Sequence, residues 1–385
     1  MYNFDKIIDR KGTASVKWDM NQKIFGNNDL LPMWVADMDF NTPDFIAEAI
    51  QKRAAHPIYG YSFMESKYFE SFISWVKRRF DWEIEKDWMV FSPGIVTAVN
   101  AAVMAFSEKG DGVLVQPPVY FPFFSSISNN GRKQINNQLV YLDQTYKIDF
   151  DDLRIKAKEA KLILLSSPHN PVCRCWTKEE LILLGEICHE NDVIIISDEI
   201  HADLILPDFK HIPLASLSDE LAEITVTCMA PSKTFNVAGF FTSTVIIKNQ
   251  VLRERFNKVM QSMSLVHGNV FGMVASEAAY THGDVWLDEL MEYVKGNFDY
   301  VKQFLKTNLP NLVLINAEAT YLAWIDFSKT GLTDKELSSK LVEDTKLGLS
   351  PGTIFGDGGS GFMRMNLGTS KATVKLAMEK LKNTF

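Results

Sequence analysis

Three stretches in the middle of the chain share one design: KLILLSSPHNP at 161–171, VIIISDEIH at 193–201 and ITVTCMAPSK at 224–233. Each opens with a near-continuous apolar or β-branched run, as in a strand covered on both faces of its sheet. Each run then breaks into polar residues: Asn170 after the first, Asp198 and His201 after the second, Ser232 and Lys233 after the third. GVLVQ at 112–116 is a fourth run, entered through the turn Gly110–Asp111–Gly112. Between the first two stretches, residues 177–191 carry apolar side chains at 181, 182, 184, 187 and 188. That spacing is a helical stripe, and Thr177 with Glu180 is placed for a capping box. Strands alternating with helices predict an α/β fold with a mostly parallel, doubly wound sheet. Ligands of such sheets bind beyond the carboxyl ends of the strands, where these stretches deliver an amide, a carboxylate and a lysine.

That trio suits one chemistry. A lysine amine condenses with an aldehyde to an imine, and an acid facing a pyridine nitrogen keeps the ring protonated as an electron sink. This is the logic of pyridoxal phosphate, with Lys233 as the imine lysine. Asp198, at the end of a buried strand, needs a cationic mate, and Asn170 can donate to the ring oxygen beside the imine. A phosphate needs backbone N–H groups at a helix N-terminus, and SPGIVT at 92–97, ahead of an apolar helix predicted over 98–106, is the candidate cradle. Ser232 can add a hydroxyl there, and Tyr120, after Gln116-Pro117-Pro118, can stack on the ring.

With these residues in place, the chain resembles the pyridoxal-phosphate-dependent aminotransferase superfamily of fold type I. Within it, the chain is similar to the bacterial cystathionine β-lyase and cysteine C–S lyase branch. The resemblance runs through WVADMDF (34–40), GYS (60–62), HNP (169–171), SDEIHADL (197–204), PSKTFN (231–236), TYLAWIDF (320–327) and PGTIFGDGGSGFMRMN (351–366), nearly the whole chain. It implies that Lys233 is both the Schiff-base lysine and the proton shuttle. Asp198 pairs with the ring nitrogen, Asn170 binds the ring oxygen and Tyr120 stacks on the ring. Gly94, Ile95, Val96 and Ser232 contact phosphate, and His201 is a hydrogen-bonding residue beside the cofactor rather than a general base. Arg364 forks onto the substrate α-carboxylate, with Ala36 and Tyr120 as further substrate contacts. Tyr61 reaches the phosphate of a neighbouring subunit, which implies a homodimer with shared sites. Three positions depart from the family pattern: Cys173 stands where a glycine is usual, Ala230 where a hydroxyl is common, and Phe241 where many aminotransferases carry an arginine.

The implied reaction is α,β-elimination on cystathionine or another cysteine S-conjugate, giving a thiol, pyruvate and ammonia. Amino transfer shares every step up to the Cα carbanion and is the first alternative; a regulatory role on the same fold is the second.

Composition narrows the remaining classes. The chain has 385 residues, 46% of them hydrophobic, and a net charge of −8 from 40 basic and 48 acidic side chains. The charges are interspersed, without the basic face that nucleic acid requires. No apolar run approaches the roughly 18 residues of a membrane span, and the N-terminus lacks a signal-peptide core. The four cysteines, Cys173, Cys175, Cys188 and Cys228, form no C-x-x-C pair, so no metal site is expected and a reducing, cytoplasmic setting fits. Gly356 to Gly361 matches G-x-G-x-x-G but leads toward a strand-like segment, which argues against a dinucleotide site. The expected organisation is a large cofactor-binding domain at 50–285 and a smaller α+β domain at 286–385, joined by residues 1–49. In that smaller domain, TYLAWIDF and FMRMNLG alternate like a half-exposed antiparallel sheet.

Overall fold

A computed structural model describes residues 2–385. Its centre is a seven-stranded sheet of β1 (Met89–Ser92), β2 (Gly112–Val115), β3 (Lys133–Asn136), β4 (Ala160–Ser166), β5 (Ile194–Asp198), β6 (Thr225–Met229) and β7 (Ser243–Ile246). The spatial order is β1-β7-β6-β5-β4-β2-β3. Only β7 runs against its neighbours; the other pairings are parallel. The expected mostly parallel sheet is therefore the one observed.

The apolar runs explain why the sheet is covered on both sides. Leu162 and Leu164 of β4 pack in one cluster with Ala98, Ala102 and Phe106 of α1 (Ile95–Phe106). Ile163 and Leu165 point the other way, into a cluster with Leu181, Leu184 and Ile187 of α2 (Lys178–Glu190). The period-2 alternation of a strand thus serves two helical layers at once. Helix α2 opens with the capping box at Thr177 and Glu180.

A four-stranded antiparallel sheet holds the C-terminal motifs. It comprises β8 (Val313–Leu314), β9 (Leu322–Asp326), β10 (Ser350–Pro351) and β11 (Phe362–Asn366), in the order β8-β9-β11-β10. Its pairing is antiparallel as expected, but β9 and β11 are buried along their whole length rather than half-exposed. The physical reason is cover on both faces. Ala323, Ile325, Met363 and Met365 join a cluster with Leu290 and Val294 of the helix Asp284–Asn308 and Met378 of Lys371–Lys382. On the other face Trp324 stacks on Phe362, with ring centroids 5.2 Å apart. In FMRMN this alternation turns Arg364 away from both methionines. The glycine-rich run at 356–361 leads into β11, a strand and not a helix.

The N-terminal segment is tied to this second sheet. Leu31–Pro32 pairs in parallel with Leu347–Gly348, and Asn366 Nδ2 donates to the carbonyls of Val35 at 2.6 Å and Asp37 at 2.5 Å. Residues 34–37 are thereby held as a strap, and Trp34, Val35 and Ala36 line the same cleft as Ser166 and Asp198 at the carboxyl ends of β4 and β5. Among the described residues no helix is long and apolar enough to cross a membrane.

Candidate active site

The strand ends converge because their strands are adjacent. Ser166, the last residue of β4, is in register with Asp198, and Asp198 with Cys228 of β6. Beyond them lie Asn170, the Asp198 carboxylate and α3 (Pro231–Thr234), a single turn that carries Lys233. These groups line a cleft of about 460 Å3. The same cleft is lined by Ala36, Gly94, Ile95, Val96, Tyr120, His201, Ser232 and Arg364. A larger groove of about 1080 Å3, lined by Phe4, Arg79, Phe209 and Glu292 among others, lies elsewhere and includes none of these strand-end groups. Size and chemistry point to different places, and the convergent ionisable groups mark the cleft.

One end of the cleft is built to take an anion. Helix α1 begins at Ile95, three residues earlier than the periodicity predicts, because Gly94 is extended (φ 171°, ψ 160°) and serves as its N-cap without a side-chain bond. The first-turn N–H groups have no partner within a helix, so they and the positive end of the helix dipole face an open site.

The other groups carry the electrostatics. Asp198 is buried and accepts a hydrogen bond from the Ile200 N–H at 3.1 Å. Burial pushes its carboxyl up to about 7, since no cation pairs with it closely enough to offset desolvation. Lys233 is pushed the other way, down to about 8, again chiefly by burial, with the Asp37 and Asp198 carboxylates opposing the shift and Arg364 adding to it. Its Nζ donates to the Ala36 carbonyl at 2.5 Å. His201 is held neutral, pushed down to about 3 by burial, and its Nδ1 has no hydrogen-bond partner.

Arg364 is held by three polar contacts. Nη1 donates to Asn170 Oδ1 at 3.0 Å, while Nη2 donates to the Trp34 carbonyl at 2.9 Å and lies 3.5 Å from Ser350 Oγ. Its Nε is buried without a partner. A buried guanidinium with an unanswered donor is costly unless an anion arrives to meet it.

Every predicted site residue except Tyr61 borders this cleft. Tyr61 is fully exposed, within a surface segment that also exposes Ile58, Tyr59 and Phe63. Sequence reasoning missed Trp34, Ser350, Tyr321 and Asn366, which hold the strap and Arg364 in place. Each lies in or beside a quoted motif, but its partner is distant in sequence and no local signal announces the contact.

The departures have definite conformations. Cys173 has φ 58° and Phe241 φ 47°, the left-handed region that favours glycine. Cys173 keeps that backbone while its Sγ reaches the Leu322 carbonyl at 2.6 Å. Burial pushes its thiol up to about 12, which leaves it an unreactive, protonated core residue. All four cysteines are buried and free.

Comparison with known proteins places the fold in a family. The family model of class I and II aminotransferases covers residues 28–381. The cystathionine beta-lyase PatB of Bacillus subtilis is 46% identical over 382 residues, covering 99% of both chains. Among solved structures, cystalysin of Treponema denticola, which contains pyridoxal 5'-phosphate, superposes with a TM-score of 0.97 at 37% identity, covering 100% of this chain and 98% of its own. The pyridoxal-phosphate-bound C–S lyase of Staphylococcus hominis gives 0.93 at 34% identity with the same coverage. A family model spanning nearly all residues, and relatives matched end to end, show that the chain belongs to the class I and II aminotransferase family, in its carbon–sulfur lyase branch.

Proposed function

We propose that this protein is a pyridoxal-phosphate-dependent carbon–sulfur β-lyase acting on cystathionine or a related cysteine S-conjugate. The observation that carries the reading is the convergence of Lys233, Asp198, Asn170 and Arg364 on the cleft next to an open helix N-terminus. Relatives matched along their whole length bear names of the same activity. The residues present fit the cofactor: a buried carboxylate without a cation, a buried amine of lowered basicity, and an anion cradle one helix away.

Pyridoxal phosphate, when bound, supplies an aldehyde for the lysine and a protonated ring that accepts electrons from Cα. The chain's own residues do the rest. Ile95, Val96 and Ser232 hold the phosphate, and Asp198, given a cationic partner, becomes the ionised mate of the ring nitrogen. Asn170 spends its Oδ1 on Arg364, which directs its Nδ2 to the ring oxygen. Arg364 takes the substrate carboxylate with its fork. Lys233, freed as an amine, removes the Cα proton, and the C–S bond then breaks with its electron pair leaving on sulfur. The sulfur gains a proton and departs as thiol. In balance, one thioether amino acid and one water give thiol, pyruvate and ammonium.

A homodimer completes the site in this reading. Tyr61 and its exposed apolar neighbours fit an interface, from which Tyr61 reaches the partner's phosphate. The chain then divides into the large domain at 50–285 and the small domain at 286–385 with residues 1–49, in a cytoplasmic enzyme.

Lys233→Ala tests the assignment. Turnover is expected to vanish while the protein stays folded; a variant with full activity contradicts it.

A further inference from the structure

The strap at 34–37 has an order that the reaction as described does not use. Its alternate carbonyls, Val35 and Asp37, are both taken by Asn366 Nδ2. The carbonyl between them, Ala36, is taken instead by two donors: Tyr321 Oη at 3.0 Å and Lys233 Nζ at 2.5 Å. A carbonyl oxygen has two lone pairs, so these two donors saturate it. Tyr321 is fully buried in the core beside β9 and does not border the cleft. Its hydroxyl meets the strap at Ala36, and its ring stands edge-on to His201 with centroids 6.5 Å apart.

We propose that Tyr321 is a positioning residue, and that the Ala36 carbonyl it orients is the docking point for the Lys233 amine whenever that amine is free of the cofactor. The proposal rests on Lys233 being the cofactor lysine. A free lysine on its four-carbon stem is rotationally mobile, and general-base geometry demands a fixed nitrogen. Donation of one N–H to Ala36 fixes that nitrogen and leaves its lone pair free to take a proton. The same strap also accepts Arg364 Nη2 on the Trp34 carbonyl. The base and the carboxylate clamp are therefore registered on one piece of backbone, two residues apart. Tyr321 holds the end that serves the base, and Ser350, which donates to Trp34 O at 2.9 Å, holds the end that serves the clamp.

Tyr321→Phe keeps the ring and removes the hydroxyl. The expected result is a fall in kcat of about tenfold with KM changed less than about twofold, because only a step after substrate binding loses its geometry. The kinetic isotope effect with Cα-deuterated substrate should rise, and cofactor-stripped variant should recombine with pyridoxal phosphate more slowly than stripped wild type. A merely structural role would loosen the whole strap, raising KM through Arg364 and leaving the isotope effect unchanged; that outcome, or unchanged kcat, overturns the proposal. A crystal structure of wild-type holoenzyme with an amino acid that lacks a leaving group decides the matter even if the variant does not fold. Lys233 Nζ within hydrogen-bond distance of the Ala36 oxygen supports the proposal, and an amine docked elsewhere overturns it. Borohydride trapping of wild type separates the underlying assignment: cofactor reduced onto a lysine other than 233 refutes that reading itself.

Discussion

Arg364 Nη1 donates to Asn170 Oδ1 across 3.0 Å and 194 residues of sequence, joining the second sheet to the carboxyl end of β4. Both groups are buried. The bond fixes the Asn170 amide and the Arg364 guanidinium relative to each other, and on the proposed reading it leaves the Asn170 NH2 for the ring oxygen and holds Arg364 for the substrate carboxylate.

Replacing the fork therefore reports on the carboxylate. Arg364→Lys keeps a positive charge but loses the paired geometry, and a charged hydrogen bond is worth about 1.5–3 kcal/mol. KM for S-benzyl-L-cysteine should rise about 10- to 100-fold. Steady-state kinetics check this, and a KM within about twofold of wild type would remove Arg364 from the binding site.

The pH dependence of stability reports on Asp198. In cofactor-free protein burial raises its carboxyl from 3.8 to about 7. The folded state then holds the proton more tightly than the unfolded state. Its stabilising contribution is complete below the unfolded value and is lost as pH rises through the folded one. Lys233, lowered to about 8 from 10.5, works in the opposite sense at higher pH, where stability grows as the amine deprotonates. On the proposed reading, bound cofactor gives Asp198 a cation and cancels its loss. The gap in melting temperature between loaded and stripped protein should thus widen from about pH 4 to about pH 7. Asp198→Asn should flatten the stripped profile over that window, as followed by thermal scans. An unchanged slope in the variant would assign the dependence to another group.

Cys173 tests a backbone requirement. At φ 58° a β-branched side chain clashes with its own backbone. Cys173→Val also adds a methyl group to a fully buried position. Both effects have one sign, so a loss of about 1–3 kcal/mol is expected in denaturant unfolding. A neutral result would mean that the turn can relax.

The shared site is testable by complementation. Tyr61→Phe and Lys233→Ala subunits, each severely impaired alone, should regain one intact site per hybrid when mixed. Hybrids shown to form without any recovery of activity would place Tyr61 outside the partner's site.

Much of this arrangement is legible in the chain because it is local. Apolar runs ending in Asn170, Asp198 and Lys233 carry both the strand and the functional group in one short segment, so sheet and site are read together. The capping box at Thr177 is legible for the same reason. The burial of β9 and β11 is not, because alternation in TYLAWIDF is equally consistent with water on one face, and only packing of distant helices decides it. The start of α1 is misplaced because an N-cap glycine offers no side-chain signal. The strap is the least legible element: Asn366 and Tyr321 grip backbone carbonyls more than 280 residues away, and a carbonyl leaves no mark in sequence.

The central claim is elimination at carbon–sulfur bonds, and the most direct measurement is product stoichiometry from L-cystathionine and S-benzyl-L-cysteine with no keto acid added. The account predicts pyruvate and thiol in equal amounts over many turnovers per active site. Absence of pyruvate, with amino transfer appearing once 2-oxoglutarate is supplied, would contradict it and make the protein an aminotransferase.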